Sequence, residues 1–126
     1  MRMQRELMEI KITIPGELPD INQIIKASKM HYGAYAKLKK ENTEKVVWLA
    51  KKLPKMERID LSITWYCKNR RKDKDNISGG GTKMILDGLV EAGVIKNDGW
   101  GEIGDISHSF KVDKLDPRIE VEIKEC

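Results

Sequence analysis

The sequence predicts an α+β domain with the element order β-α-β-α-β-β, a mixed, mostly antiparallel sheet and helices packed on one of its faces. Three observations carry that prediction. Two segments alternate apolar and polar residues, two others repeat apolar residues at helical spacing, and the C-terminal part contains two short alternating runs about a polar connection. At 126 residues the chain suits one domain with one core, spanning residues 1–126.

The first strand lies in "LMEIKITIPG", where Met8, Ile10, Ile12 and Ile14 share one face and Pro15-Gly16 ends the run. The following "PDINQIIKAS" fits either a short helix or a loop, and Gly33 interrupts whatever continues from it. Tyr35, Leu38, Val46, Leu49 and Leu53 then recur at helical spacing among lysines, until Pro54 ends the helix. In the second strand Ile59, Leu61, Ile63 and Trp65 form one face, with Thr64 and Tyr66 on the other. "SGGG" predicts a loop. "TKMILDGLVEAGVI" predicts a helix capped by Ser78 or Thr82, striped by Ile85, Leu86, Leu89 and Val90, and closed by Gly93 at C′. Beyond the turn "KNDGWG", Ile106 to Val112 and the run Ile119, Val121, Ile123 predict a hairpin joined by "DKLDPR". Trp48 and Trp65 fall on apolar stripes and are expected in the core.

Composition narrows the function. The chain is 40% hydrophobic and 35% charged, the balance of a soluble globular protein with more charge than average. No apolar run approaches the roughly 20 residues needed to span a membrane. "MRMQRELMEIKITI" lacks the apolar stretch and cleavage site of a signal peptide, so a cytoplasmic location is expected. Cys67 and Cys126 belong to no metal spacing, which argues against zinc and against a disulfide framework; Cys67 is expected to be a small half-buried side chain. The net charge of +4 is unevenly spread: from Lys26 to Lys55 nine lysines face Glu41 and Glu44, whereas from Ile85 onward acids outnumber bases ten to five. A basic front half concentrates polyanions such as nucleic acid, unless its lysines merely solvate a helix face.

Against that charge, "RRKDKDNISGGGTKMILDGL" places Asp73 and Asp75 two apart inside a basic cluster. In an extended segment both carboxylates point the same way and repel each other. Either Arg71, Lys72 and Lys74 relieve that repulsion, or a cation does. The stretch is not a calcium loop, because Ile77, Ser78 and Met84 stand where a polar ligand, Gly and Glu are required. Nor is it a phosphate-cradling P-loop, because Thr82 precedes Lys83 and Met84 follows it.

The wider constellation joins Asp73, Asp75 and Asn76 to Lys83, Asp87 and Leu89, then to Ala92-Gly93-Val94 and Asp98. In these residues and spacings the chain resembles the RusA-type Holliday-junction resolvases. The match is close from Arg70 to Asp98 and looser over "LPDIN" and "DPRIEVEI", the latter as in phage-type members. Asn97 replaces the acid that many members carry before the last aspartate, and the alignment of Lys83 accepts "ISGGG" as an insertion.

The resemblance implies a metal-dependent, homodimeric endonuclease that nicks two strands of a four-way junction symmetrically. Carried over by position, Asp73, Asp75 and Asp98 are the metal-binding carboxylates and Lys83 an essential basic residue. Such chemistry suits Mg²⁺, with Mn²⁺ as a substitute: a few carboxylates hold the ion and leave positions for water and phosphate. Lys83 adds positive charge at the scissile phosphate or orients water. Lys68, Arg70, Arg71, Lys72 and Lys74 hold flanking phosphates. A junction-binding protein with little catalysis, or a flap or fork nuclease, are the alternatives. Asp87 is expected to pair with Lys83 one turn away, Asn76 to stabilise the turn, and His31 and His108 to take no catalytic part. Trp100 is expected either to anchor its loop or to stack on a base or a dimer partner.

Overall fold

The computed structural model describes residues 7–126; residues 1–6, the start of the segment examined for a targeting signal, lie outside it. In chain order the elements are β1 (Glu9–Pro15), α1 (Ile21–Met30), α2 (Ala34–Ala50), β2 (Ile59–Cys67), α3 (Lys74–Glu91), β3 (Ile103–Val112) and β4 (Arg118–Glu125). The segment that fitted a short helix or a loop is therefore a helix of its own. Asp20 caps it: Gln23 N–H donates to Asp20 Oδ1 at 2.8 Å, and the Gln23 side chain accepts from Asp20 N–H at 2.9 Å. This reciprocal capping box satisfies two donors that a helix start leaves open. Gly33 takes a left-handed φ of 92° at the start of α2 and separates the two helices.

The strands form one four-stranded sheet in the order β1-β4-β2-β3. β4 pairs antiparallel with both β1 and β2, whereas β3 runs parallel to β2. The mostly antiparallel sheet is thus as expected, but the C-terminal hairpin is not. β3 and β4 lie on opposite sides of β2. The physical reason is α3, which crosses over the sheet after β2 and returns the chain parallel to it. The "DKLDPR" connection then passes the end of β2, where Asp113 N–H donates to Cys67 O at 2.8 Å. Arg118 fixes this passage by donating from one guanidinium nitrogen to Asp113 Oδ2 at 2.8 Å and Asp116 O at 3.1 Å, while lying 3.7 Å from the centre of the Tyr66 ring.

All three helices cover one sheet face. Ile12 and Ile14, Ile59 to Trp65 in alternation, and Ile119, Val121 and Ile123 are buried beneath Val46, Met84, Ile85 and Leu89. Trp65 is in this core, as its stripe implied; Trp48 is not, being 71% exposed with the Lys51 ammonium 3.5 Å from its ring centre. Two residues from each of the buried Val46 and Ala50, it falls on the opposite, solvent side of α2, and the cation covers the ring instead.

The glycine run is the largest departure from the expected structure. Ser78 to Gly81 is not a loop but the second turn of α3, and the helix begins at Lys74, with Asp73 and not Ser78 or Thr82 at its N-cap position. Consecutive glycines disfavour a helix by roughly 1 kcal/mol each relative to alanine, so contact must offset that. A Cβ at Gly80 would strike the Pro19 carbonyl and the Asp20 backbone, and one at Gly81 would stand 2.5 Å from the Trp65 ring. At the far end Gly93, with φ 81°, closes the helix as expected: its N–H reaches Val90 O and the Val94 N–H reaches Leu89 O, both at 3.0 Å, a Schellman motif.

Gly80→Ala is therefore expected to destabilise the fold by about 2 kcal/mol despite its higher helix propensity, because the opposing atoms are backbone and cannot rotate away. Chemical denaturation of the two proteins measures the difference.

Candidate functional site

The expected site residues gather along α3. Asp73 is its N-cap residue, with φ −69° and ψ 146°, and its side chain makes no capping hydrogen bond. Asp75 falls in the first turn. The pair therefore does not lie in an extended segment: the chain has already turned helical at Lys74. Both side chains are exposed, and Asp75 Oδ1 accepts the Asn76 N–H at 3.0 Å. Asn76 acts on a neighbouring helix, since its Oδ1 accepts the Asn22 N–H at 3.1 Å and so ties the start of α1 to the start of α3.

Beneath this junction lies a residue the sequence reading passed over. Asp20 is 4% exposed and meets Lys72 Nζ at 2.8 Å. Burial on its own would raise the Asp20 pKa. The Lys72 ammonium and the backbone N–H groups of Gln23 and Asn22 outweigh it and hold the carboxyl below its ordinary value. One basic residue of the cluster is thus committed to structure. The signal was present in "DINQ", an acid followed three residues later by Gln. Lys68 lies 3.8 Å from Glu17. Arg70, Arg71 and Lys74 have no carboxylate partner among the described residues.

Further along α3, Lys83 Nζ lies 3.2 Å from Asp87 Oδ1 and 3.8 Å from Asp98 Oδ2. The pairing with Asp87 is the expected one. Lys39, from α2, reaches the other oxygen of Asp87 at 3.2 Å and was not anticipated, because its place is set by how α2 packs on α3. A side-chain hydrogen bond to Asp87 and the charges of Asp87 and Asp98 raise the Lys83 pKa above 10.5 against the opposing effect of burial. Lys83 is a fixed cation near neutrality and not a proton acceptor. Asp98 is brought into this cluster by the turn after α3, whose backbone is held by Arg58 donating to Trp100 O at 2.8 Å. The Trp100 ring is 96% exposed, so it does not anchor its loop by packing.

The family model described as Endodeoxyribonuclease RusA matches residues 8–124. The chain belongs to the RusA endodeoxyribonuclease family. A comparison with curated proteins returns no match. The RusA family resolves Holliday junctions as endonucleases, acts on branched DNA and generally depends on a divalent metal. No helix of the described residues is long and apolar enough to cross a membrane.

Among the described residues no three His, Cys, Asp or Glu side chains converge to hold an ion. Asp98 meets Lys83, which follows Asp75 by eight residues, about 12 Å of helix rise. The three aspartates therefore do not form a ready cage within one chain. Asp73 and Asp75 do suit Mg²⁺, which is commonly bound by one or two carboxylates together with substrate phosphate.

Two outcomes follow from this geometry. Asp20→Asn is expected to lower stability by about 1 to 2 kcal/mol at neutral pH through the weakened cap and lost ion pair. Because the folded pKa of Asp20 is depressed, its contribution is complete above the ordinary 3.8 and is lost as pH falls through the folded value, so the two proteins should converge in acid denaturation. For Lys83, a side-chain NMR titration should place its pKa above 10.5, and Asp87→Asn should lower it.

Proposed function

We propose that this chain is a Mg²⁺-dependent, homodimeric endodeoxyribonuclease that resolves four-way DNA junctions by paired symmetric nicks, serving recombination and repair of phage or prophage DNA in the cytoplasm. The observation that carries the reading is the exposed Asp73/Asp75 pair at the head of α3, set among Arg70, Arg71 and Lys74, which have no ion-pair partner among the described residues, in a chain of the RusA family. This arrangement meets the question raised by acids in a basic cluster: the acids take the metal and the bases take the phosphates.

Arg70, Arg71 and Lys74 hold backbone phosphates near the acidic pair, and Lys68 and Lys72 add to the field while paired with Glu17 and Asp20. Lys83 presents a permanent positive charge for a strained phosphate, positioned by Asp87 and Asp98. Asp98 is the third acid of the set that the resemblance assigns, and in the free chain it orients Lys83. Bound Mg²⁺ supplies water activation and neutralises charge on the phosphate and the leaving oxygen. A two-fold dimer matches the two-fold symmetry of a four-way junction and places one acidic pair on each of two strands.

A second reading, a junction-binding protein with little catalysis, is favoured by the dispersed aspartates and by Asn97 in place of an acid. The two readings diverge on a synthetic four-way junction assayed beside linear duplex, flap and fork. Metal-dependent paired nicks near the branch point, absent on duplex, support the resolvase. Salt-sensitive binding without nicks in Mg²⁺ or Mn²⁺ supports the second reading, and preferred cutting of flap or fork identifies a different branched substrate. Asp75→Asn is expected to slow single-turnover cleavage by about 100-fold or more while junction affinity is retained. Cutting at the unaltered rate would remove Asp75 from the site.

A further inference from the structure

The sheet ends on β3, whose core-side residues Ile106 and Phe110 are only half-buried. Between its C-terminal half and the segment leading into α3 lies a cleft of 360 Å³. Phe110, Val112 and Ile77 supply its apolar wall; Arg70, Lys74 and Lys111 supply cations. No carboxylate lines it, although the chain contains 20 acidic residues. None of those three cations has an ion-pair partner among the described residues, whereas Lys72, also at the cleft, is held by Asp20.

Phe110 is rigidly backed. Its ring is stacked on Trp65 with centroids 6.5 Å apart and 16° between planes. Trp65 is itself 2% exposed, pressed by Gly81, and donates its indole N–H to His108 Nδ1 at 3.0 Å. Partial burial lowers the His108 pKa, and the imidazole nitrogen remains an acceptor for that bond. The Lys74 ammonium lies 5.8 Å from the centre of the Phe110 ring, and Lys74 is the residue between Asp73 and Asp75. The aromatic platform and the acidic pair thus share a border.

We propose that this cleft receives an unstacked nucleobase of branched DNA, with Phe110 as the stacking surface and Arg70, Lys74 and Lys111 on the adjoining phosphates. A flat apolar wall adds nothing to the binding of a phosphate alone, and a cationic rim adds nothing to the binding of an apolar ligand. Their combination selects an aromatic anion, which is the chemistry of a nucleotide. A cleft of this volume falls in the range of small-ligand pockets, about 300 to 1,000 Å³, and it admits a base only once the base has left its helix. A branch point offers such bases; continuous duplex does not. The proposal rests on the branched-DNA reading and adds to it the feature of the substrate that is recognised.

The test uses the full chain with Ca²⁺ in place of Mg²⁺ and junctions carrying 2-aminopurine either at the branch point or within an arm. Wild-type protein should change the fluorescence of the branch-point probe and not of the arm probe. Phe110→Ala should remove that change and weaken junction binding about tenfold, the scale of one lost stacking contact, with duplex binding unaltered. Phe110→Tyr should behave as wild type. Phe110→Leu keeps the apolar volume without the aromatic face, so it reports on the cleft if the alanine variant fails to fold. A folded Phe110→Leu or Phe110→Ala protein with wild-type affinity and an unaltered branch-point signal would overturn the base site and leave the nuclease reading standing. Wild-type protein that binds no branched DNA would remove both readings together.

Discussion

The close approach of α3 to the rest of the molecule is the constraint on which the other features depend. Gly80 lies against the backbone of Pro19 and Asp20, Gly81 against Trp65, and Gly88 against Val46 and the Thr43 carbonyl. Side chains at these positions would hold the helix away from α1, the sheet and α2 at once. With glycine there, the helix is seated at both ends. Its first turn meets the capped start of α1, and its later turns carry Lys83 and Asp87 to Lys39 and Asp98. The candidate site is thus a consequence of packing: Asp75, Lys83 and Asp87 lie along one seated helix, and Asp98 meets it from the turn that follows.

That seating also divides the charges by task. Asp20 and Lys72 neutralise each other where water is largely excluded, a pairing that a buried carboxylate needs if it is to stay ionised. Asp87 satisfies two lysines from two helices. Asp73, Asp75, Arg70, Arg71 and Lys74 are left exposed and without ion-pair partners among the described residues, so attraction to an outside ion or phosphate is not spent on internal contacts. The basic cluster is therefore two populations, one structural and one facing solvent, which its sequence presents as a single run. The aromatic residues divide in the same way. Trp65 is locked into the core, Phe110 lies half-buried at the open edge, and Trp100 stands in solvent on a turn held by Arg58.

Much of this was legible in the residues alone. Alternation located β1 and β2 and assigned their buried faces, because a strand with one covered face must place every second side chain in the core. The stripe of Ile85 and Leu89 and the glycine at Gly93 located the later part of α3 and its end, because helical period and a left-handed C′ residue are local requirements. The run from Asp73 to Asp98 pointed to the RusA family, since fixed spacings along a strand–helix–turn unit survive as sequence pattern.

What the tertiary structure decided were the features set by a distant partner. The glycine run predicts a loop by intrinsic preference and is a helical turn because Pro19, Asp20 and Trp65 leave no room for a Cβ. The two C-terminal strands alternate like a hairpin, yet β2 lies between them, since strand order depends on where the α3 crossover returns the chain. Trp48 stands two residues from both Val46 and Ala50, on the far side of α2 from the stripe that α3 covers. Asp20 and Lys39 carry no motif that names their partners, which come from other elements. The sequence by itself determined β1, β2, the later part of α3 with its end, and the family, all of which rest on periodicity and local spacing. Only the tertiary structure decided which backbones touch, which strands pair and which charges remain unpaired, because each of those depends on atoms brought together from separate parts of the chain.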